Sequence, residues 1–397
     1  MNIKDLMSGI GVVIDDAYKK DNRTEDDKIL RLVESIENEW KIPICKYQEI
    51  PSEDVCNNLI QSASFILLDW KLWPNNSAAE LEKSRIEENI KFLEKARDYF
   101  RPVFIFTNEN VKDIIEAISP HDLYNEQYPG KNFIFIQKKS HLTGKKLFSS
   151  IKDWIGKNSS VYTLKTWEQA LYKSKENLFG LLYKKSPSWP RVFWTAYKKD
   201  GIDPSSSMVY FINSNLLARM ETNIFEDKIL GKRSYRIECK DLKSVLEGAS
   251  FIPQEKLHEN DVRSGDIFKT NSRYLINIRA DCDCIPRKGQ SIDRVELYCL
   301  EGNRLNKKDI KNLYDDKLGN FNECVWQTIV FMVDDGKTIQ FSFKKLVQKR
   351  FLEIKTQRVG RLIHPYITRI QQRYSFYLQR QGLPRIPKEA IRGKSEE

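Results

Sequence analysis

Residues 11–20 read GVVIDDAYKK, a run of four residues, three of them β-branched, that ends in the adjacent carboxylates Asp15 and Asp16. Such a run is typical of a buried strand. The two like charges at its tip repel each other unless a cation or a proton lies between them. The pair is therefore either solvated at the end of a strand or half of a metal site.

Three more strand-like runs follow in the first third of the chain: ASFILL (63–68), PVFIFT (102–107) and NFIFIQ (132–137). Segments with helical spacing, such as EDDKILRLVESIENEW and AAELEKSRIEENIKFLEKARDYF, lie between them. Short apolar runs that alternate with amphipathic helices predict an α/β domain with a doubly wound parallel sheet. In such sheets the functional residues lie at the carboxyl ends of the strands.

The residues that end these runs form a chemically coherent set. The second run is followed by Asp69, the third ends in Thr107, and the fourth is followed by Lys138 and Lys139. A carboxylate can accept a phosphoryl group if a divalent cation neutralises its surroundings and a lysine binds the oxygens. Carboxylates are also the ligands that Mg²⁺ prefers. We therefore interpret the acidic pair as part of a magnesium site.

This order of an acidic pair, a lone aspartate, a threonine and a lysine resembles the receiver domain of two-component response regulators, over about 150 residues. The resemblance implies a flavodoxin-like fold. It implies that Asp69 is the phospho-acceptor, that Asp15, Asp16 and Asp69 bind Mg²⁺, and that Thr107 and Lys139 contact the phosphoryl group. It also implies a histidine kinase or another phosphodonor as partner and allows a homodimer.

Composition restricts the remaining possibilities. A chain of 397 residues suggests two or three domains. Seven cysteines, an odd number with uneven spacing, indicate reduced thiols and a cytoplasmic protein. We find no signal-peptide pattern and no apolar run long enough for a membrane span. Membrane binding is therefore not expected.

Charge is distributed unevenly along the chain. Residues 1–155 contain 22 Lys and Arg against 26 Asp and Glu, a net charge of −4. Residues 331–397 contain 15 Lys and Arg against 6 Asp and Glu, a net charge of +9. The two ends are thus expected to have different partners.

Patterning predicts four parts. Residues 1–157 form the receiver-like domain and 158–250 a helical connector. Residues 251–350, with alternating runs and turn signals, form a small, mostly antiparallel β domain that is barrel-like or a sandwich. Within it, VWQTIVFMVDDGKTIQFSF predicts a hairpin around Asp335-Gly336. Residues 351–397 form a basic helical tail.

The tail has apolar residues at helical spacing: Val359, Leu362, Ile363, Ile367, Ile370, Tyr374 and Tyr377. On its other faces lie five arginines: Arg358, Arg361, Arg369, Arg373 and Arg380. Arginines that bind phosphate and tyrosines that stack on bases suit nucleic acid. Alternatively, the segment is a docked helical hairpin whose arginines are solvated or pair with the acidic receiver-like domain. The composition is similar to that of modules in bacterial defence loci, which implies a role against phage.

Two further motifs allow other chemistry. In ADCDCI, Cys282 and Cys284 could begin a zinc site, although buried cysteines beside a turn are the better explanation of the motif. The triplet Glu238-x-Lys240 matches the last element of a nuclease motif, a pattern that is common in a highly charged chain.

The function that these features favour is an atypical response regulator, phosphorylated on Asp69 with Mg²⁺, that switches a C-terminal output region. The alternative is a nucleic-acid-binding effector whose receiver is not phosphorylated and serves as a docking platform. A nuclease is the third hypothesis.

Overall fold

The computed structural model describes residues 3–18, 28–73, 77–126, 132–141, 144–231, 238–271, 273–286, 290–382, 386–387 and 390. The chain divides into two compact units. The N-terminal unit contains Met1–Pro187 and Ile212–Ser234, and the C-terminal unit contains Ser188–Phe211 and Tyr235–Glu397.

The N-terminal unit is built on a five-stranded, all-parallel sheet. Its strands are β1 (Gly11–Ile14), β2 (Ile44–Tyr47), β3 (Phe65–Leu68), β4 (Val103–Thr107) and β5 (Ile134–Lys138). They lie in the order β2-β1-β3-β4-β5. The predicted α/β class and parallel sheet are confirmed. The apolar runs identified four of the strands, and β2 was missed.

Helices cover both faces of this sheet: α1 (Ile3–Leu6), α2 (Lys28–Glu39), α3 (Glu53–Ser62), α4 (Ala79–Asp98), α5 (Val111–Ile118) and α6 (Gly144–Lys157). Alternate strand residues point to opposite faces. Val13, Leu67 and Phe104 pack with α2 and α6, whereas Ile66 and Ile105 pack with α3, α4 and α5. The sheet is thus the middle layer between two apolar cores.

Residues 158–250 are largely helical where the structure describes them. The helices are α7 (Ser159–Lys185), α8 (Trp189–Lys199), α9 (Pro204–Arg219), α10 (Asp227–Leu230) and α11 (Cys239–Ser250). The Asn158 side chain caps α7 by accepting a hydrogen bond from the Val161 N–H, and Val161 and Tyr162 join the core that contains α2 and α6. None of the described helices is both long and apolar enough to cross a membrane.

The C-terminal unit contains a seven-stranded sheet in which every described pair is antiparallel. Its strands are β6 (Phe251–Pro253), β7 (Asp266–Thr270), β8 (Arg273–Asn277), β9 (Glu296–Arg304), β12 (Gln327–Val333), β13 (Lys337–Arg350) and β14 (Arg358–Leu362). The order is β12-β13-β9-β8-β7-β14-β6. β10 (Tyr314–Asp315) and β11 (Asn320–Phe321) form a separate pair.

Besides α8 and α11, the described part of this unit contains α12 (Asp281–Cys284), α13 (Lys307–Leu313), α14 (Phe351–Ile354) and α15 (Tyr366–Gln379). Ile367 and Ile370 of α15 pack on one face of the sheet, and Phe351 of α14 packs on the other. β12 and β13 form the predicted hairpin, with Gly336 at a φ of +72° in its turn, a value that favours glycine.

Two expectations for this half of the chain were wrong. The seven strands form one open sheet whose outer strands, β12 and β6, do not pair with each other among the described residues, so the predicted barrel is not closed. The tail is not helical throughout, because Arg358–Leu362 is strand β14 between β6 and β7. Gly360 in the middle of this segment weakens a helix, whereas it allows the close approach of Phe251 and Ile252.

Candidate functional site

The carboxyl ends of four parallel strands bring the predicted site residues to one edge of the N-terminal sheet. Ile14, the last residue of β1, pairs with Leu68, the last residue of β3, so Asp15 and Asp69 follow neighbouring strands in register. Thr107 at the end of β4 pairs with Lys138 at the end of β5. The side chain of the next residue, Lys139, reaches Asp15 and Asp69.

Lys139 is the centre of this site. Its Nζ lies 2.8 Å from Asp15 Oδ2 and 2.8 Å from Asp69 Oδ2. All three residues are buried, with Lys139 only 8 % exposed. The adjacent Lys138 is exposed. An ammonium shared by two buried carboxylates is a strong electrostatic interaction, because little water screens it.

Backbone amides hold the other oxygen of each carboxylate. The Ala17 N–H donates to Asp15 Oδ1 at 2.9 Å, and the Lys71 N–H donates to Asp69 Oδ1 at 3.3 Å. These donors come from the turns that follow β1 and β3. The orientation of each carboxylate is therefore fixed by the turn next to it as well as by Lys139.

Burial raises the pKa of Asp69 from 3.8 to about 7; Lys139 opposes the rise, and Asp15 adds to it. For Lys139, burial lowers the pKa, but the two carboxylates outweigh burial and raise it above the ordinary value. Lys139 therefore keeps its ammonium at neutral pH, and Asp69 holds its proton to a higher pH than an ordinary aspartate does.

The acidic groups fit a divalent cation. Carboxylate oxygens of Asp15, Asp16 and Asp69 lie within 4.8 Å of one another. Three carboxylates and one ammonium give a formal charge of −2, which a divalent cation would neutralise. An all-oxygen set of this kind suits Mg²⁺. Asp16 is half-buried, so one side of the cluster is open to solvent.

Thr107 is fully buried, and its hydroxyl accepts a hydrogen bond from the Glu109 N–H at 3.1 Å. The Glu109 side chain pairs with Lys71 at 3.3 Å, which connects the loop after β4 to the loop after β3. Sequence reasoning missed this ion pair. Its signal would have been that both residues stand two positions after a proposed site residue.

A second buried ammonium lies at the amino ends of the strands, across the same sheet from the site. Lys165 of α7 donates to the backbone oxygen of Ser64 at 2.9 Å and pairs with Glu168 at 2.8 Å, and Glu168 also pairs with Arg101. Burial lowers the pKa of Lys165, and Glu168 opposes that effect. Ser64 directly precedes β3, and Asp69 directly follows it. Sequence reasoning missed this network.

The structure corrects the predicted nucleic-acid role of Arg358 and Arg361. They are only 4 % and 7 % exposed. Arg361 Nε lies 2.6 Å from Asp266 Oδ1, and Arg358 Nη1 lies 3.4 Å from Asp266 Oδ2. Both guanidinium groups thus balance a buried carboxylate and do not face a ligand.

The other three arginines of the tail lie nearer the surface. Arg369 and Arg373 pair with the buried side chain of Glu323. The exposed Arg380 lies over the ring of Tyr377, at 3.7 Å from its centroid. Of the five predicted arginines, Arg380 is the one that forms no ion pair with a carboxylate among the described residues.

Neither alternative metal motif forms a cluster among the described residues, where the acidic triad is the one group with metal-ligand geometry. Cys284 is buried and accepts a hydrogen bond from Asn277, whereas Cys282 is exposed. Glu238 and Lys240 are exposed at the start of α11. The zinc and nuclease hypotheses gain no support from these positions.

Comparisons of the chain with models of known protein families, with curated proteins and with solved structures find no match.

The raised pKa of Asp69 predicts a pH-dependent stability in metal-free buffer. The folded protein binds the Asp69 proton more tightly than the unfolded chain does. The contribution of this proton to the free energy of unfolding is therefore present at pH 4 and is lost as pH rises through about 7. Asp69→Asn does not titrate. We expect its free energy of unfolding, relative to the wild type, to rise between pH 5 and pH 8, by at most ~4 kcal/mol.

Urea unfolding with a chelator at both pH values measures this difference. The matched control is Asp98→Asn, because the Asp98 side chain is 71 % exposed. Its difference from the wild type should be the same at pH 5 and pH 8. Equal behaviour of the two variants would contradict a raised pKa for Asp69.

Proposed function

We propose that the N-terminal unit is a phospho-accepting regulatory domain of the response-regulator type, with Asp69 as the acceptor. The observation that supports this most directly is the position of Lys139 Nζ, 2.8 Å from both Asp15 and Asp69. A buried ammonium at this point is placed to accept an anionic group that becomes attached to Asp69.

The topology of the sheet supports the same proposal. The order β2-β1-β3-β4-β5 is the one expected of a flavodoxin-like domain. In such a sheet, ligands bind where the strand order reverses, which is between β1 and β3. Asp15 follows β1 and Asp69 follows β3, so the candidate acceptor lies at that point.

The proposed reaction is the transfer of a phosphoryl group from a histidine kinase or a small phosphodonor. A carboxylate oxygen of Asp69 forms a bond to phosphorus, and the bond between phosphorus and the donor atom breaks, with its electron pair leaving on the donor. Mg²⁺ held by Asp15, Asp16 and Asp69 would favour the ionised acceptor and neutralise phosphoryl oxygens.

The residues around Asp69 then have defined tasks. Lys139 exchanges its contact with Asp69 Oδ2 for a phosphoryl oxygen while keeping Asp15. The Thr107 hydroxyl, which accepts a hydrogen bond from the Glu109 N–H, is a neutral group at the end of β4 that would turn to donate to a phosphoryl oxygen. The phosphoryl group adds a charge of about −2 and so changes the electrostatic interactions among Asp15, Asp69 and Lys139. That change can shift an equilibrium between two conformations.

The test is incubation of the full chain with acetyl phosphate, with and without Mg²⁺, followed by intact-mass measurement. We expect one added phosphoryl group that requires Mg²⁺ and is lost in Asp69→Asn. Asp98→Asn, at an exposed position, should label as the wild type does. Labelling of Asp69→Asn at the wild-type stoichiometry would show that Asp69 is not the acceptor.

A further inference from the structure

Two pairs of a cation and an aromatic ring lie close together in the C-terminal unit. Lys344 Nζ lies 4.9 Å from the ring centroid of Trp326, and Arg380 Cζ lies 3.7 Å from that of Tyr377. Lys344 and Arg380 are exposed, and Trp326 is 44 % exposed. Both cations are therefore available to a ligand from solvent.

Phe343 connects the two pairs. It precedes Lys344 in β13, donates its backbone N–H to Trp326 O at 2.8 Å, and has its ring centroid 5.7 Å from that of Tyr377. Arg373 of α15 also donates to the backbone oxygen of Gln327, next to Trp326. The two pairs are thus linked through Phe343, and we refer to Trp326, Lys344, Lys345, Tyr377 and Arg380 together as the basic patch.

The patch is strongly basic. Residues 326–382 contain 11 Lys and Arg, and among them Lys344, Lys345 and Arg380 are exposed and form no ion pair with a described carboxylate. The nearby carboxylate of Glu323 is buried and already pairs with Arg369 and Arg373. Lys345, adjacent to Lys344, is also exposed and adds a third cation. The complementary ligand is therefore an anion.

We propose that this patch binds single-stranded nucleic acid. An unpaired base would stack on the exposed ring of Trp326, and a second would stack on the guanidinium of Arg380, which Tyr377 supports from beneath. Lys344 and Lys345 would neutralise phosphates. The proposal goes beyond phosphorylation of Asp69 and does not depend on it.

The rings favour a single strand over other anions. A duplex keeps its bases stacked and offers only phosphates to a surface of this size. An acidic peptide supplies carboxylates but no flat bases for Trp326 and Arg380. A single strand satisfies both halves of the patch, since its phosphates and bases alternate along the chain.

The experiment is fluorescence anisotropy of the full chain with labelled oligo-dT and oligo-U, over a range of KCl concentrations. We expect affinity to fall as salt rises for at least one of the two strands. The better strand identifies DNA or RNA as the ligand. Equal or tighter binding of a duplex, or of poly-glutamate in competition, would overturn the proposal, as would no binding of either strand.

Variants separate stacking from charge. The pair Lys344→Glu and Lys345→Glu should lower affinity by about tenfold or more, and Trp326→Ala should lower it by about tenfold. Trp326→Phe keeps a ring and should keep part of the affinity. The matched charge control is Lys307→Glu with Lys308→Glu, two exposed lysines of α13. Equal losses in both lysine pairs would contradict a localised site.

Discussion

Replacement of Lys139 by methionine is expected to lower the free energy of unfolding of the N-terminal unit by about 3–5 kcal/mol in metal-free buffer. The variant leaves the carboxylates of Asp15 and Asp69 buried without the ammonium that lies 2.8 Å from each. Chemical unfolding followed by tryptophan fluorescence measures the loss, because Trp70 and Trp73 lie in the same unit, close to Asp69 in sequence.

The adjacent lysine provides the control. Lys138→Met removes an exposed charge one residue away and should change the free energy of unfolding by no more than about 0.5 kcal/mol. Mg²⁺ should restore part of the stability of Lys139→Met, since a ligand that binds only the folded state stabilises it. Equal effects of the two substitutions would show that the buried ion pairs do not form.

A second large effect is expected in the C-terminal unit. Asp266 is fully buried and accepts hydrogen bonds from the side chains of Arg358 and Arg361. Burial raises its pKa, and the two guanidinium groups oppose that rise. Asp266→Ala leaves both cations buried without this carboxylate, which should destabilise the unit by about 3–5 kcal/mol.

Hydrogen exchange of β7 and β14 amides measures this loss in the unit concerned. Asp283→Ala is the control, because Asp283 is exposed and lies 3.9 Å from Arg279. It should change protection by less than about 1 kcal/mol. Unchanged exchange of β7 and β14 in Asp266→Ala would show that the pairing of Asp266 with the two arginines does not stabilise the unit.

Sequence patterning was sufficient for the centre of the N-terminal sheet. Runs that are apolar at nearly every position, such as those of β3 and β4, occur where both faces of a strand are covered. The strand ends then indicated the site, because parallel strands bring their carboxyl ends together on one side of the sheet. β2 was not predicted because it is an outermost strand, in which only Ile44 is buried and Cys45 and Lys46 are exposed.

The tail shows why charge patterning predicts less. Arginines on a presumed helix suggested a surface for nucleic acid, yet Arg358 and Arg361 lie in a strand beside Asp266. That carboxylate is more than 90 residues away in the chain, so no local pattern connects it to them. Whether a cation is solvated or buried depends on such distant partners.

Strand β3 carries a buried lysine contact at each end. Asp69 follows it and bonds to Lys139, and Ser64 precedes it and bonds to Lys165. A four-residue strand is only about 13 Å long and is stiff along its axis. Sliding of β3 by even half a residue would stretch one ammonium contact while compressing the other. The two lysine contacts therefore fix the position of β3 along its own axis. They also fix the N-terminal half of α7, which carries Lys165.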